Sequence, residues 1–346
     1  MKKTLFFTML AAALVGGQVF ADFIPTVVEG YTTSDYFSFY GVKNSYGEAN
    51  GANVTVSKYS AGGSDLSSKS VFGGRASTAA SNNKITMTGG QMDTLYGADG
   101  NTTVSGNTVI MTGGMVDSIR GGTSTGTNAV VENNVVIVAG DCELDTVYGG
   151  YSSHGDAKDN KVYLVGKGAT ATIADAQGVE DTYTGGNITL RRVFVADGDG
   201  TLVNNSIDIY GTGITASNYV EGMQILNFHI SQNQIGGEYA NASMLTLTTY
   251  DMDLKNVTIG IQDVDVQAWT PGSTVTLVQA AMVIKGIESG QEVDIKRGDQ
   301  VVAQGQLVLS NDDKTLSLSI LGSVPEPTTG TLGLLALAGL CIRRRK

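Results

Sequence analysis

Asn83-Lys84-Ile85-Thr86-Met87-Thr88-Gly89-Gly90-Gln91-Met92-Asp93-Thr94-Leu95-Tyr96-Gly97 is answered by Asn107-Thr108-Val109-Ile110-Met111-Thr112-Gly113-Gly114-Met115-Val116-Asp117-Ser118-Ile119-Arg120-Gly121-Gly122. Each phrase opens on an asparagine, alternates apolar residues through a short strand, turns at a glycine pair, and runs a second strand into another glycine turn. Alternation with period two is the mark of a strand with one buried face. Copies of the first half begin at Asn53, Asn83, Asn107, Asn134, Asn160, Asn187 and Asn205, with looser ones at Asn227 and Asn256. Successive starts are 30, 24, 27, 26, 27, 18, 22 and 29 residues apart. The second half recurs as Val71-Phe72-Gly73-Gly74, Leu95-Tyr96-Gly97, Ile119-Arg120-Gly121-Gly122 and Val147-Tyr148-Gly149-Gly150.

Short strands at a fixed period, joined by turns too tight for a helix, predict an all-β chain folded as a right-handed parallel β-helix. Successive coils would stack about 4.8 Å apart. Ile85, Val109, Val136, Val162 and Ile207 would then form an inward aliphatic ladder, buried only because a neighbouring coil covers it. Glycine suits the corners because it accepts positive φ, and asparagine because it tolerates left-handed backbone and can hydrogen-bond along a stack. An antiparallel sandwich would need an independent turn code, which is missing. From Met244 the period fades. Leu245–Leu247, Val275–Val278 and Leu307–Leu309 read as strands with hairpin turns, and Asn311 to Ile320 as a last hairpin. The expected organisation is a signal peptide over 1–21, a β-solenoid over 22–243, a β-rich cap over 244–322 and a sorting segment over 323–346. Trp269 is expected in the core of the cap.

The ends carry an address. Lys2 and Lys3 precede an apolar core from Leu5 to Val15, and Val19-Phe20-Ala21 offers a cleavage site, as in a secretory signal peptide. At the other end Pro325-Glu326-Pro327 precedes an apolar run from Leu332 to Ile342 and the cations Arg343, Arg344, Arg345 and Lys346. The prolines hold the junction extended, the short apolar run enters the bilayer as a transmembrane helix, and the cations stop transfer on the cytoplasmic side. These three parts in this order resemble the PEP-CTERM sorting signal. That resemblance implies an exosortase-type processing enzyme as partner, contact with the membrane through the C-terminal segment, and delivery to the cell surface, outer membrane or extracellular matrix. The middle of the chain resembles the passenger repeats of autotransporter-type adhesins, which implies an extended surface rod. Exopolysaccharide or host glycans are the expected outside partners.

The chain has a net charge of −11, and six of its 22 basic residues lie in the two terminal segments. So acidic a body excludes nucleic acid as a partner, which needs a basic stripe. With Cys142 and Cys341 alone, and the second in the tail, no disulfide framework forms. One polar element repeats: Asp93, Asp117 and Asp145 occupy the same place in their phrases. Stacked at about 5 Å they would repel one another; the expectation is a solvated strand face with no cofactor, and the alternative is a calcium ion that relieves the repulsion. The expected function is that of a non-enzymatic, adhesin-like surface or matrix protein. The alternative is a carbohydrate-active β-helix enzyme, a polysaccharide lyase or hydrolase, although neither His154 nor His229 shows a recognisable nucleophile or metal partner.

Overall fold

The computed structural model describes residues 38–57 and 69–324, together with the backbone of the two-residue strands Val28–Glu29 and Thr33–Ser34. The signal segment and the sorting segment beyond Val324, including Pro325 to Pro327 and Arg343 to Lys346, lie outside the described residues. The described chain is all-β and mostly parallel. One 3-10 turn, Gln232–Gln234, interrupts it, and no described helix is long and apolar enough to cross a membrane.

The chain passes repeatedly through three ladders. The first holds Asn53–Ser57, Lys84–Gly89, Thr108–Met111, residues 135–139, Lys161–Val165, Ser206–Tyr210, Ile225–Ile230, Thr258–Asp263 and Glu292–Arg297, each parallel to the next. The second runs from Ser38–Asn44 through Ser70–Ala76, Gln91–Asp99, Gly114–Ser124, residues 142–152, residues 188–198 and Ile214–Ala216 to Leu245–Leu247 and Thr274–Ala280. A third ladder of two- and three-residue strands closes one side from Ala49–Asn50 to Leu202–Val203. Register puts Ile85, Val109, Val136, Val162 and Ile207 in one column, all fully buried, as their spacing requires. Each such side chain contributes about 1.5–3 kcal/mol of burial, and only while its neighbouring layer is present.

A second core corrects the simple inside–outside pattern. Between Lys161–Val165 and the next strand of the second ladder, Thr170–Ala174 pairs antiparallel with residues 180–184. This hairpin arm lies back over the outside of the first ladder. Ala171, Ile173 and Tyr183 cover Ile110, Val135 and Ile137, outward residues that would otherwise face water. Lys84 Nζ meets Asp175 Oδ2 at 2.9 Å, and Ala176 N donates to Thr108 Oγ1 at 3.0 Å, which fastens the tip.

The parallel ladders do not stop at Met244. Leu245–Leu247 pairs parallel with Thr274–Ala280, and Thr258–Asp263 with Glu292–Arg297, where the sequence suggests hairpins. Antiparallel pairing at this end is confined to Gln300–Leu309 and Thr315–Ser323, which join the last strands of the first and second ladders into one closed edge. At the other end, Val28–Glu29 and Thr33–Ser34 pair antiparallel on the first strands of the same two ladders. These strands cover part of the open edges of the two main ladders, through which stacked strands aggregate. Trp269 is 6% exposed in the main core, and its Nε1 donates to the buried Asp263 at 2.8 Å.

Candidate functional site

The repeat asparagines form a buried column. Asn83, Asn107, Asn134, Asn160 and Asn205 are all fully buried, and each Nδ2 donates to the next residue's side-chain oxygen at 2.9–3.0 Å, ending on Gln224. Each Nδ2 also donates to a carbonyl of the preceding layer, and each backbone N–H donates to the next side-chain oxygen. Four members of the sequence set do not belong: Asn53, Asn187, Asn227, which donates to Asp208 from mid-strand, and Asn256, which sits in a turn with φ of 62°. Ala52 takes the column position in the first layer, so Asn53 lies one residue past it. Asn187 belongs to the second ladder, where its N–H meets Asp141. Asn160 and Asn205 are therefore consecutive in the column, 45 residues apart, because the hairpin arm is inserted between them. Nor does the column take the left-handed backbone. That falls to the residue before it: Asn82, Gly106, Asn133, Asp159 and Asn204 have φ of 57°, 64°, 54°, 52° and 54°.

The glycine pairs make room for this column. A Cβ on Gly121 would stand 2.3 Å from the Gly149 carbonyl oxygen, and one on Gly122 would stand 2.7 Å from Asn134 Nδ2. These glycines are needed for close approach, whereas Gly90, Gly114 and Gly140 at the other turn have positive φ.

Register aligns Tyr40, Phe72, Tyr96, Arg120, Tyr148 and Phe194 in a column outside the main core. Tyr40 and Phe72 at its start are buried, and Tyr96, Arg120, Tyr148 and Phe194 are half-buried. Rings stack at centroid distances of 5.1 Å for Tyr40–Phe72, 4.3 Å for Phe72–Tyr96 and 5.2 Å for Tyr148–Phe194. Arg120 fills the gap, 5.3 Å from the Tyr96 ring, 5.1 Å from Tyr148 and 5.5 Å from Tyr151. Because the rings cover one another's faces, the half-buried Tyr96, Tyr148 and Tyr151 present edges and hydroxyls. The sequence carries part of the signal for this column, since Phe72, Arg120 and Tyr148 each precede a glycine pair, but Tyr40, Tyr96 and Phe194 join it only through register.

Asp93, Asp117 and Asp145 do fall in one column, at the corner of the second ladder. Their neighbours Thr94, Ser118 and Thr146 pair across successive layers. The column is bounded by cations: Lys69 lies opposite Asp93 in the layer before, and Arg191 opposite Asp145 in the layer after. Arg191 and Arg192 meet Asp145 at 3.3 and 2.9 Å. Burial and the charges of Asp93 and Asp145 raise the Asp117 pKa. Burial also raises that of Asp145, but hydrogen bonds from Arg192, Thr146 and Arg191 outweigh it and leave the carboxyl below its usual value. Among the described residues no three His, Cys, Asp or Glu side chains gather as metal ligands would. Beside the corner lies a shallow open groove of about 560 Å³, lined by Gln91, Met115, Asp141, Cys142 and Glu143 among others. Burial pushes the Cys142 thiol up to about 12, which leaves it unreactive at neutral pH.

His229 does have an acid partner. Its Nε2 lies 2.8 Å from Asp208 Oδ1, and its ring stacks on Tyr210 at 3.8 Å. Asn227 and Ser206 also donate to Asp208. This polar knot joins two consecutive layers of the first ladder and brings no nucleophile to the imidazole. His154 sits beside Ser153 in a loop.

The C-terminal residues supply the external comparison. Residues 323–346 match the PEP-CTERM protein-sorting motif. A PEP-CTERM segment implies export, processing by an exosortase-type enzyme, and a cell-surface or extracellular destination. It covers the end of the chain alone and is silent on the stacked body. No curated protein and no solved structure matches the chain.

Proposed function

We propose that the chain is an exported structural protein of the cell surface or matrix: a parallel β-solenoid rod, released from its membrane-stop segment by an exosortase-type enzyme. The observation that carries this reading is the PEP-CTERM segment attached to a body whose two main ladders carry antiparallel strands at both ends. Such a rod has a long lateral surface, which suits display and adhesion. On this reading the stacked region extends to about Arg297, and the cap shrinks to the strands after it. Pro325, Glu326 and Pro327 are the processing site, and Arg343 to Lys346 hold the segment in the membrane until cleavage. Calcium at Asp93, Asp117 and Asp145 is a subsidiary proposal. No described cluster favours the carbohydrate-active alternative.

The test is the intact mass and fractionation of the mature protein. It is expected to begin at Asp22, to lack Arg343 to Lys346, and to leave the inner membrane. A full-length C-terminus retained in the inner membrane would refute the assignment.

A further inference from the structure

Four of the five described arginines sit against carboxylates: Arg75 on Asp99, Arg191 and Arg192 on Asp145, and Arg297 on Asp263. Arg120 makes no ion pair among the described residues, in a chain with an excess of eleven acids. It is held instead by three tyrosine rings. Its Nε, and the Oγ1 of neighbouring Thr123, a residue only 4% exposed, are buried with no described hydrogen-bond partner. A guanidinium with a fixed plane and no acid of its own offers a rigid fork of donors, the geometry that recognises a carboxylate. Around it stand the phenols of Tyr96, Tyr148 and Tyr151, and burial pushes the Tyr148 pKa upward, which keeps that hydroxyl a donor.

The same face carries two more cations, Lys43 over the Tyr40 ring at 4.3 Å and Arg75 over Phe72 at 5.2 Å. Three cations thus lie along one side of an otherwise acidic body. Asp99 is neutralised by Arg75, and Asp197 lies beyond Tyr151, so the anionic contact is confined to the stretch from Arg75 to Arg120. Around Arg120 the strip is narrow and presents the edges and hydroxyls of Tyr96, Tyr148 and Tyr151, while Phe72 is buried beneath Arg75, which fits a hydrogen-bonding polymer better than an apolar protein surface.

We propose that this face binds an anionic polysaccharide strand laid along the stack, with Arg120 receiving a uronic-acid carboxylate. The proposal rests on the surface-protein reading and names its ligand class. The experiment is calorimetric titration of the mature protein with oligogalacturonate in EDTA, which removes calcium bridging. A neutral maltooligosaccharide and inorganic phosphate serve as comparisons. Oligogalacturonate is expected to bind with a salt-sensitive affinity about tenfold above either comparison, as befits one charge-assisted pair. Arg120→Tyr completes the aromatic column, so its melting temperature should hold while binding falls about tenfold; Arg120→Lys keeps the charge but loses the fork and should fall between. Equal binding by R120Y, no binding of oligogalacturonate at millimolar concentration, or equal affinity for phosphate would each overturn the assignment. Surface delivery of R120Y, followed by fractionation, reports separately on the export reading and is expected to be unchanged.

Discussion

Removing one amide from the middle of the asparagine column should cost far more than its size implies. Asn134 is fully buried and makes four side-chain hydrogen bonds. Its oxygen accepts from Asn107 N at 3.1 Å and Asn107 Nδ2 at 2.9 Å, and its Nδ2 donates to Val104 O at 3.1 Å and Asn160 Oδ1 at 2.9 Å. Asn134→Ala breaks all four. Asn107 Nδ2 keeps Ala80 O, and Asn160 Oδ1 keeps the Asn134 backbone N–H, so those two groups remain paired. The Asn107 N–H has no second described partner and becomes a buried orphan. At about 1 kcal/mol net for each of three bonds, and about 1–2 kcal/mol for the bond that leaves the orphan, the loss is about 4–5 kcal/mol. Denaturant unfolding followed through Trp269, the sole tryptophan and a buried one, measures it directly. Asn101→Ala, at an exposed loop position, is the control and should stay within about 0.5 kcal/mol. Asn134→Asp keeps the shape but turns a carboxylate oxygen toward two acceptors. Its folded pKa must therefore lie above the unfolded value near 3.9, so the penalty is absent below about pH 4 and grows as pH rises through the folded pKa. An N134A cost below about 1 kcal/mol, or an N134D penalty independent of pH, would show that the column is not the source of layer-to-layer stability.

Gly121→Ala should destabilise by about 3 kcal/mol or more, since its Cβ meets a backbone carbonyl, whereas Gly89→Ala, with nothing within 4 Å, should be near neutral; thermal melts of the pair decide it. Lys84→Met strips the partner from the buried Asp175 and should cost about 2 kcal/mol, with protease cutting within residues 170–184 as the sensitive readout. In the wild type, burial raises the Asp175 pKa, but hydrogen bonds from Lys84 and from the Val179 and Gln177 N–H groups outweigh it and leave the pKa lowered. The arm's contribution is thus present at neutral pH and lost as pH falls below about 4, seen as acid-induced proteolysis. Asp117→Asn removes a carboxylate whose pKa is raised by burial first and then by the charges of Asp93 and Asp145. It should stabilise by a few tenths of a kcal/mol, about 0.2–0.5 after solvent screening, at pH 7 and by nothing at pH 3, a difference readable as melting temperature. A calcium-dependent rise in melting temperature that D117N abolishes would establish the metal there, and no rise in the wild type at millimolar calcium would remove it.

Much of the fold was legible because it is local and repeated. Alternation in Ile85–Met87, Val109–Met111 and Val136–Val138 can be buried on one face only, so strand, inward column and stacking follow from spacing. The errors arose where identity and position separate. Asn53 and Asn187 look like column members, yet a hydrogen-bonded column depends on register, and register slips by one residue unless the left-handed residue before the asparagine is recognised. The strands after Met244 lose the asparagine signal because Gln224 ends the column, although parallel pairing continues to Arg297 without it.

The sequence by itself determined the address of the protein, the strand content and the aliphatic column, since each rests on short-range patterns with one physical solution. Only the tertiary structure decided which side chains become neighbours about 4.8 Å apart across a turn of the chain. It placed the hairpin arm over an outer apolar face, set Arg120 among aromatic rings, gave His229 its acid, and put antiparallel strands at both ends of the stack. Those partners are 20 to 90 residues distant in sequence, and loops of unequal length erase their spacing before the fold restores it.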